Sequence, residues 1–350
     1  MRRALTSGGL VVALVGLGAL APAVTAQAAS PRADGAIEYS SANPVLTLEP
    51  VGTHRTGLFD ESAAEIVAHY AAQQQTLVVN AAAGTVNVLD SSDPADPRAL
   101  FELETVGMES ADGSTVEAGG IANSVAVRED GLAAVAVEHP TKTEAGWIAF
   151  FDLSGEEPAP LGAVRTGALP DSVVLSPAGD FAVVANEGEP AEDYSVDPEG
   201  SVGVIALPDS VAAPEQDDVR LAGFRAFEGD ALPDGVRVFG GREDAGTGTP
   251  EFPVAENLEP EYATVIGERA YVSLQEANAL AVVDLASASV ERLLPLGTQD
   301  LSAVDTDVSD RDGGIGFDTW PVQTFMMPDT LKSVSIGGSD YLLTANEGDS

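Results

Sequence analysis

The chain has 350 residues, 44% of them hydrophobic, which is enough for a sizeable core in one large all-β domain or two ordinary ones. Acidic residues outnumber basic ones by 56 to 16, giving a formal net charge of −40. That balance argues against nucleic acid as a partner, because phosphate backbones need Lys and Arg, and leaves cations as better candidates; solubility is the bland reading of the same charge. The absence of cysteine excludes disulfides, thiolate metal sites and cysteine nucleophiles.

The N-terminus has the three parts of a secretory signal peptide over residues 1–28. Met1-Arg2-Arg3 is a basic start, Gly8 to Leu20 an apolar run, and Ala26-Gln27-Ala28 a small-x-small cleavage site. The apolar run is shorter than the roughly 20 residues a spanning helix needs, and no later run reaches that length. A Sec signal fits better than a twin-arginine one. The expected mature chain begins near Ala29 with a flexible segment over 29–43 and works in the extracellular space or on the cell surface, with no transmembrane helix.

After an early strand at Val45 to Leu48, short β-rich runs alternate with Gly, Pro, Asp and Asn turns. One unit recurs: a hairpin followed by a third strand. Its copies start at Glu65, Asn123, Asp171, Glu261 and Asp329, and their second strands end at Asn80, Val137, Asn186, Gln275 and Asn346. Two long intervals, Pro208 to Pro260 and Gly297 to Met327, read as insertions. Four-stranded units of about 40–50 residues with inserted loops are the pattern of a β-propeller. The expected fold is therefore all-β, a β-propeller with five blade hairpins in this chain, against a sandwich or mixed β architecture as the alternative.

In an antiparallel hairpin the start of the first strand and the end of the second are neighbours, with strands about 4.8 Å apart. With the first strand of each blade innermost, starts and ends open together onto a central funnel. The tetrad Ala-Asn-Glu-Gly at 185–188, repeated at 345–348, is then blade geometry presenting carboxylates and amides around one axis. Asp171, Glu187, Glu261, Glu276, Asp329 and Glu347 are the candidate ligands of a hard cation, Ca²⁺ before Zn²⁺. The competing reading is that they cap strand ends by bonding adjacent backbone.

A second acidic cluster lies in "DLSAVDTDVSDRDGGIGF", where Asp305, Asp307, Asp310 and Asp312 precede Gly313-Gly314. Convergence on Ca²⁺ is one reading, a solvated loop or an ion pair from Arg311 the other. The full EF-hand pattern is absent, since Val308 takes the first ligand position and Thr319 that of the bidentate Glu.

The three histidines, His54, His69 and His139, lack metal-ligand spacing, and neither a Gly-x-Ser-x-Gly elbow nor a phosphate-binding Gly-Lys-Ser/Thr loop is present. His69 reads as structural or surface, His139 as a turn residue before Pro140 or a funnel residue after Glu138.

The stretches "FDESAAEIVAHY", "LVVNAAAGTVNVLD", "PDSVVLSPAGDFAVVANEGEP", "SDRDGGIGFDTWPV" and "PDTLKSVSIGGSDYLLTANEGDS" together resemble the choice-of-anchor I family of bacterial secreted or surface-attached β-propellers. The resemblance runs from about Pro44 to Ser350. It implies a propeller domain over 44–350 that would have seven blades when complete, with further blades and an anchor beyond Ser350. Some relatives are labelled alkaline phosphatases or lie near esterase-like phytase propellers. Two functions follow as expectations. One is a binding or scaffold module with Ca²⁺ in its acidic funnel and an unidentified extracellular or cell-wall partner. The other is a Ca²⁺-dependent phosphoesterase, for which Arg269, Arg311 and Lys332 are candidate phosphate contacts.

Overall fold

The computed structural model describes residues 45–347 apart from 47, 49, 59–61, 239–251 and 310. The expected signal peptide, the segment 29–43 and Asp310 lie outside the described residues. The chain divides into a unit of residues 1–51 and a unit of residues 52–350. In the first, the described residues of Val45–Leu48 form no strand, contrary to expectation. A strand exists only through a partner ladder, and none is formed by the described residues here, Val45 being fully exposed.

In the second unit, Val- and Ala-rich runs punctuated by short turns and a few longer loops fold into successive antiparallel meanders. The first sheet holds β1 (Val67–Tyr70), β2 (Gln75–Asn80), β3 (Thr85–Asp90) and β4 (Arg98–Glu104). The second holds β5 (Ile121–Val127), β6 (Leu132–Glu138), β7 (Ala145–Asp152) and β8 (Ala159–Ala168). The third holds β9 (Pro170–Leu175), β10 (Phe181–Asn186), β11 (Ser201–Ala206) and β12 (Val219–Gly223). The fourth holds β13 (Pro260–Ile266), β14 (Arg269–Leu274), β15 (Ala279–Asp284) and β16 (Ser289–Pro295). A small hairpin of β17 (Thr298–Asp300) and β18 (Gln323–Phe325) follows, then the pair β19 (Pro328–Ile336) and β20 (Ser339–Asn346).

All five expected hairpins are present, each opening its own sheet. The stretch Pro208–Pro260 needs correction as a plain insertion: it supplies β12, the fourth strand of its blade, before a loop and the short helix α1 (Pro253–Asn257). The sequence hides that strand because "VRLAG" is brief and one-faced. Neighbouring sheets meet through their first strands in chain order: β1 beside β5, β5 beside β9, β9 beside β13, and β13 beside β19. First strands ranged around a common axis, with the meanders radiating outward, are the β-propeller arrangement.

The core lies between blades. Val79, Val86, Val88 and Leu103 of the first sheet meet Val135, Val137, Trp147 and Ala149 of the second. Ala134, Ile148, Phe150 and Val164 then meet Val173, Val184 and Ile205 of the third, and the third meets the fourth around Val204, Phe224, Val272 and Ala281. Both faces of an inner strand are thus covered, which explains why Leu132 to Val137 is apolar without alternation and buried throughout. Alanine at 133, 134 and 136 keeps side chains short where sheets stack about 10 Å apart.

Long polar side chains clamp the blades at the ends of the strands remote from the funnel. Gln73 Nε2 donates to the carbonyls of Leu153, Ser154 and Gly155 at 2.9 to 3.1 Å. Arg128 donates to Gly179 O, Pro208 O and Ser210 O at 2.8 to 3.0 Å, and Arg220 to Leu285 O and Ala286 O at 3.1 and 2.8 Å. Each clamp joins one blade to the next.

Candidate functional site: an acidic funnel

The residues that open the repeated hairpins sit in irregularities of the first strand. In the third blade the pairing passes from Ser172↔Ala185 to Pro170↔Asn186, leaving Asp171 as an extra residue in a β-bulge. The same shift brackets Asn123 in β5, Glu261 and Tyr262 in β13, and Asp329 and Thr330 in β19. In the first blade Glu65 N–H donates to Val79 O while Val79 N–H donates to Ile66 O, so two residues again oppose one. A bulge re-aims a side chain and adds twist. The extra residue also moves two expected strand ends by one position, β6 running to Glu138 and β14 stopping at Leu274.

The repeated tetrad has a shared backbone cause. Leu169 and Met327, which precede Pro170 and Pro328, both adopt left-handed conformations, with φ of 46° and 43°. Their carbonyls accept the N–H groups of Glu187 and Glu347 at 2.8 and 3.3 Å. A bulky residue held in that region is strained, and such strain collects at functional sites. Gly188 has φ of +76°, and a Cβ there would lie 2.9 Å from Gly200 N.

Around this mouth, carboxyl groups raise one another's proton affinity. Burial first, then the charges of Asp329 and Glu138, push Asp171 up to about 7. Burial followed by Asp171, Glu189, Glu259 and Glu276 pushes Glu187 up to about 9. Glu261 is pushed up to about 10 by burial and by Glu276, Glu187, Asp171 and Asp329. Glu259 rises to about 8 through burial and then Glu276, Asp197 and Glu189. Glu138 and the Tyr262 phenol are also raised, each mainly by burial. Asp171, Glu187, Glu261, Glu276 and Asp329 of the expected set therefore belong to one electrostatic group, while Glu347 is exposed at the end of β20.

Glu189, Glu259, Tyr262 and Lys142 join this group without having been expected as site residues, and Glu138, expected at a funnel-side strand end but not as a ligand, joins it too. One signal was available: Pro170-Asp171, Pro260-Glu261 and Pro328-Asp329 each open a first strand with proline before an acid. Glu259 arrives from the loop after α1, whose N-terminal Val254 and Ala255 N–H groups donate to the Glu228 carboxylate at 3.1 and 2.9 Å. Gly200 N–H donates to Ala255 O at 3.0 Å, tying that helix to the blade.

The funnel's donors are oxygens, the set a hard cation such as Ca²⁺ takes. Among the described residues no three carboxylate or imidazole groups stand at the spacing needed to share one ion, so holding an ion requires these half-buried side chains to turn towards one another. The loop cluster differs. Asp307 accepts the N–H groups of Ser309 and Gly316 at 3.4 and 3.1 Å, and Asp312 that of Gly314 at 3.3 Å. Asp305 is exposed. Asp307 and Asp312 thus brace their own loop, as Asp does in turns.

His139 is a turn residue: its Nδ1 accepts Thr141 N–H at 3.0 Å, and its ring stacks on the buried Trp147 at 5.3 Å between centroids. Arg269 donates to Glu291 at 2.7 and 3.0 Å and begins β14, at the end of that strand opposite the funnel.

Antiparallel four-stranded meanders ranged about first strands, with an acidic mouth at one end, define a β-propeller module. The chain belongs to the choice-of-anchor I domain family, whose model matches residues 65–350. A search of curated proteins found no match. Among solved structures, a Lactobacillus plantarum protein is 14% identical over 76% of this chain and 72% of that one, with a TM-score of 0.45. A Bacteroides caccae protein of unknown function is 12% identical over 66% of this chain, with a TM-score of 0.36, and this chain spans 60% of its length. The β-propeller domain of Myceliophteria thermophila Cps50 (Swd1) is 12% identical over 63% of this chain and 56% of that one, with a TM-score of 0.38. Among the described residues no helix is long and apolar enough to cross a membrane.

Proposed function

We propose that this protein is a secreted or cell-surface binding module whose acidic funnel takes a hard divalent cation, Ca²⁺ by the chemistry of its donors. The observation that carries the reading is the convergence of bulge and strand-end carboxyls from successive blades on one mouth, where they share their charge. Like charges gathered in a half-buried site are relieved by protons, by basic side chains or by a metal ion. An oxygen-only set favours Ca²⁺, which accepts six to eight such ligands in flexible geometry. The ion would rigidify the ring of first strands, leaving inserted loops to meet an extracellular or cell-wall partner. The family's surface or secreted character and the basic-apolar-small pattern of residues 1–28 support that placement. A phosphoesterase would need a cationic contact for phosphate, and Arg269 is committed to Glu291 away from the funnel.

Calorimetric titration of the full chain with CaCl₂, repeated with Glu187→Gln, tests the reading. Binding by the wild type that weakens by about tenfold or more in the variant supports it. The absence of binding in the wild type leaves the carboxylates as strand-end caps.

A further inference from the structure

We infer that Asp312-Gly313 is a self-modification site, at which the chain converts its own aspartyl linkage to an isoaspartyl one through a succinimide. The inference is independent of the cation reading of the funnel.

The reaction needs only the two residues and water. Gly313 N attacks Asp312 Cγ, the new C–N bond forms, and the carboxyl hydroxyl leaves as water with the amide proton. Water then opens the five-membered imide at either carbonyl, restoring aspartate or leaving the main chain running through the side-chain carboxyl. No oxidation or reduction occurs. Glycine after the aspartate favours closure, because no Cβ shields its nitrogen or restricts its backbone. Closure also requires the aspartate backbone to rotate until the reacting atoms are about 3–3.5 Å apart, so bonds that fix the turn oppose it.

Asp-Gly occurs at 112–113, 130–131, 234–235 and 312–313, and the structure separates these pairs. Ser114 N–H and Oγ donate to Asp112 Oδ1 at 2.9 and 2.6 Å, while Gly113 N–H donates to Ser110 O at 2.9 Å. Arg128 grips both oxygens of Asp130 at 2.9 and 2.8 Å, and Gly131 N–H donates to Arg128 O at 3.0 Å. In both pairs the carboxylate is held and the attacking nitrogen is engaged. The bonds from Arg128 also keep Asp130 below the usual carboxylate range, which depletes the neutral acid that loses water. Asp234-Gly235 lies inside a turn closed by Val236 N–H to Pro233 O at 3.2 Å, and a Cβ at Gly235 would stand 3.2 Å from Pro295 Cβ.

Among the described residues, nothing comparable restrains Asp312-Gly313. Arg311 to Gly314 form an exposed bend without a hydrogen-bonded turn. Gly313 has φ of +88°, and a Cβ there would meet nothing within 4 Å. Asp312 Oδ1 accepts Gly314 N–H at 3.3 Å, which folds the carboxyl back across the Gly313 peptide. Isomerisation there adds a methylene to the main chain of the loop between β17 and β18 and relocates its carboxylate.

The test is incubation of the full chain in heavy-oxygen water near neutral pH, folded and in urea, followed by peptide mass mapping. Each opening of the imide leaves one heavy oxygen behind. In the folded chain, label should accumulate at Asp312 at least about tenfold faster than at Asp112, Asp130 or Asp234, and in urea the four rates should converge. Asp312→Glu, which would have to close a six-membered ring, and Gly313→Ala should each cut labelling at residue 312 by about tenfold, with unfolding midpoints confirming that both fold. Labelling at Asp312 no faster than at Asp112 and Asp130, or faster labelling at Asp234, overturns the inference. The same ordering of rates in urea also overturns it, since selectivity would then come from neighbouring sequence rather than from the fold.

Discussion

Asn186 accepts the hydroxyl hydrogen of Thr166 at 2.9 Å and, through Nδ2, donates to Ser201 Oγ at 3.3 Å, with no solvent exposure of its own. The amide thereby joins β8 of one blade to β11 of the next at the rim of the funnel. Replacing it with Ala strands two buried hydroxyls, and a loss of about 1–3 kcal/mol is expected in urea unfolding. A loss below about 0.5 kcal/mol would mean that the blades are held at this rim by packing alone.

The ion-free protein should be less stable in alkali. Asp171, Glu259, Glu187 and Glu261 titrate at about 7, 8, 9 and 10 when folded, all above their ordinary values near 4. The unfolded chain releases these protons first, so the folded state holds more protons between those limits and stability falls as pH rises. The contribution is fully present below about pH 4 and is lost as pH climbs from there through the folded values. Melting temperatures in chelator should decline from pH 6 to pH 9, and Ca²⁺ should flatten the decline. A flat profile in chelator would show that folding does not raise the proton affinity of these carboxyls.

The Glu187→Gln variant should follow from the same sign. Near pH 4 the carboxyl is largely neutral in both the folded and the unfolded chain, so the substitution changes stability by no more than about 0.5 kcal/mol. As pH rises the unfolded wild type ionises while the folded carboxyl keeps its proton up to about 9, so the wild type loses stability that the variant keeps, and at pH 9 the variant should be the more stable of the two in chelator. Chemical denaturation at the two pH values checks this.

The two acidic regions separate by mutation. Asp307 bonds the N–H groups of Ser309 and Gly316 within its own loop. Asp307→Asn should leave Ca²⁺ affinity unchanged in the titration in which Glu187→Gln weakens it. Loss of binding in Asp307→Asn with retention in Glu187→Gln would move the ion to the loop.

Arg128 holds three carbonyls of the following blade and an ion pair to Asp130 at 2.8 Å. Arg128→Ala should cost about 1.5–3 kcal/mol, since the abandoned carbonyls lose charged donors. Because Arg128 lies at the end of the blade away from the funnel, Ca²⁺ affinity should not change. The shift in urea midpoint, read alongside calorimetry, distinguishes this effect from a general loosening.

The five hairpins were legible because they rest on local signals: strand formers in runs of six or so, turns rich in Gly and Asp, and near-constant spacing from a polar or acidic start to a usually polar end. Asp171, Glu187 and Glu261 were legible as neighbours because antiparallel pairing places the start of one strand beside the end of the next. β12 was not, since five residues at a blade's outer edge carry no periodicity distinct from the loop around them. Glu259, Glu189 and Lys142 were missed for a different reason. They lie on connections whose paths are set by packing elsewhere, Glu259 by the capping of α1 on Glu228 and Lys142 by the turn seated on Trp147.

The sequence by itself determined the all-β class, the hairpin repeat and the polar or acidic residue at each first-strand start, because hydrophobic pattern and turn chemistry act over a few residues. Only the tertiary structure decided that these acids leave their ladders in bulges, which depends on how a first strand meets the second strand of its blade. It also decided that Asp171, Glu187, Glu259 and Glu261 share one field while Asp307 and Asp312 bond their own loop. Charge coupling falls off with distance in space rather than along the chain, and only the ring of blades sets those distances.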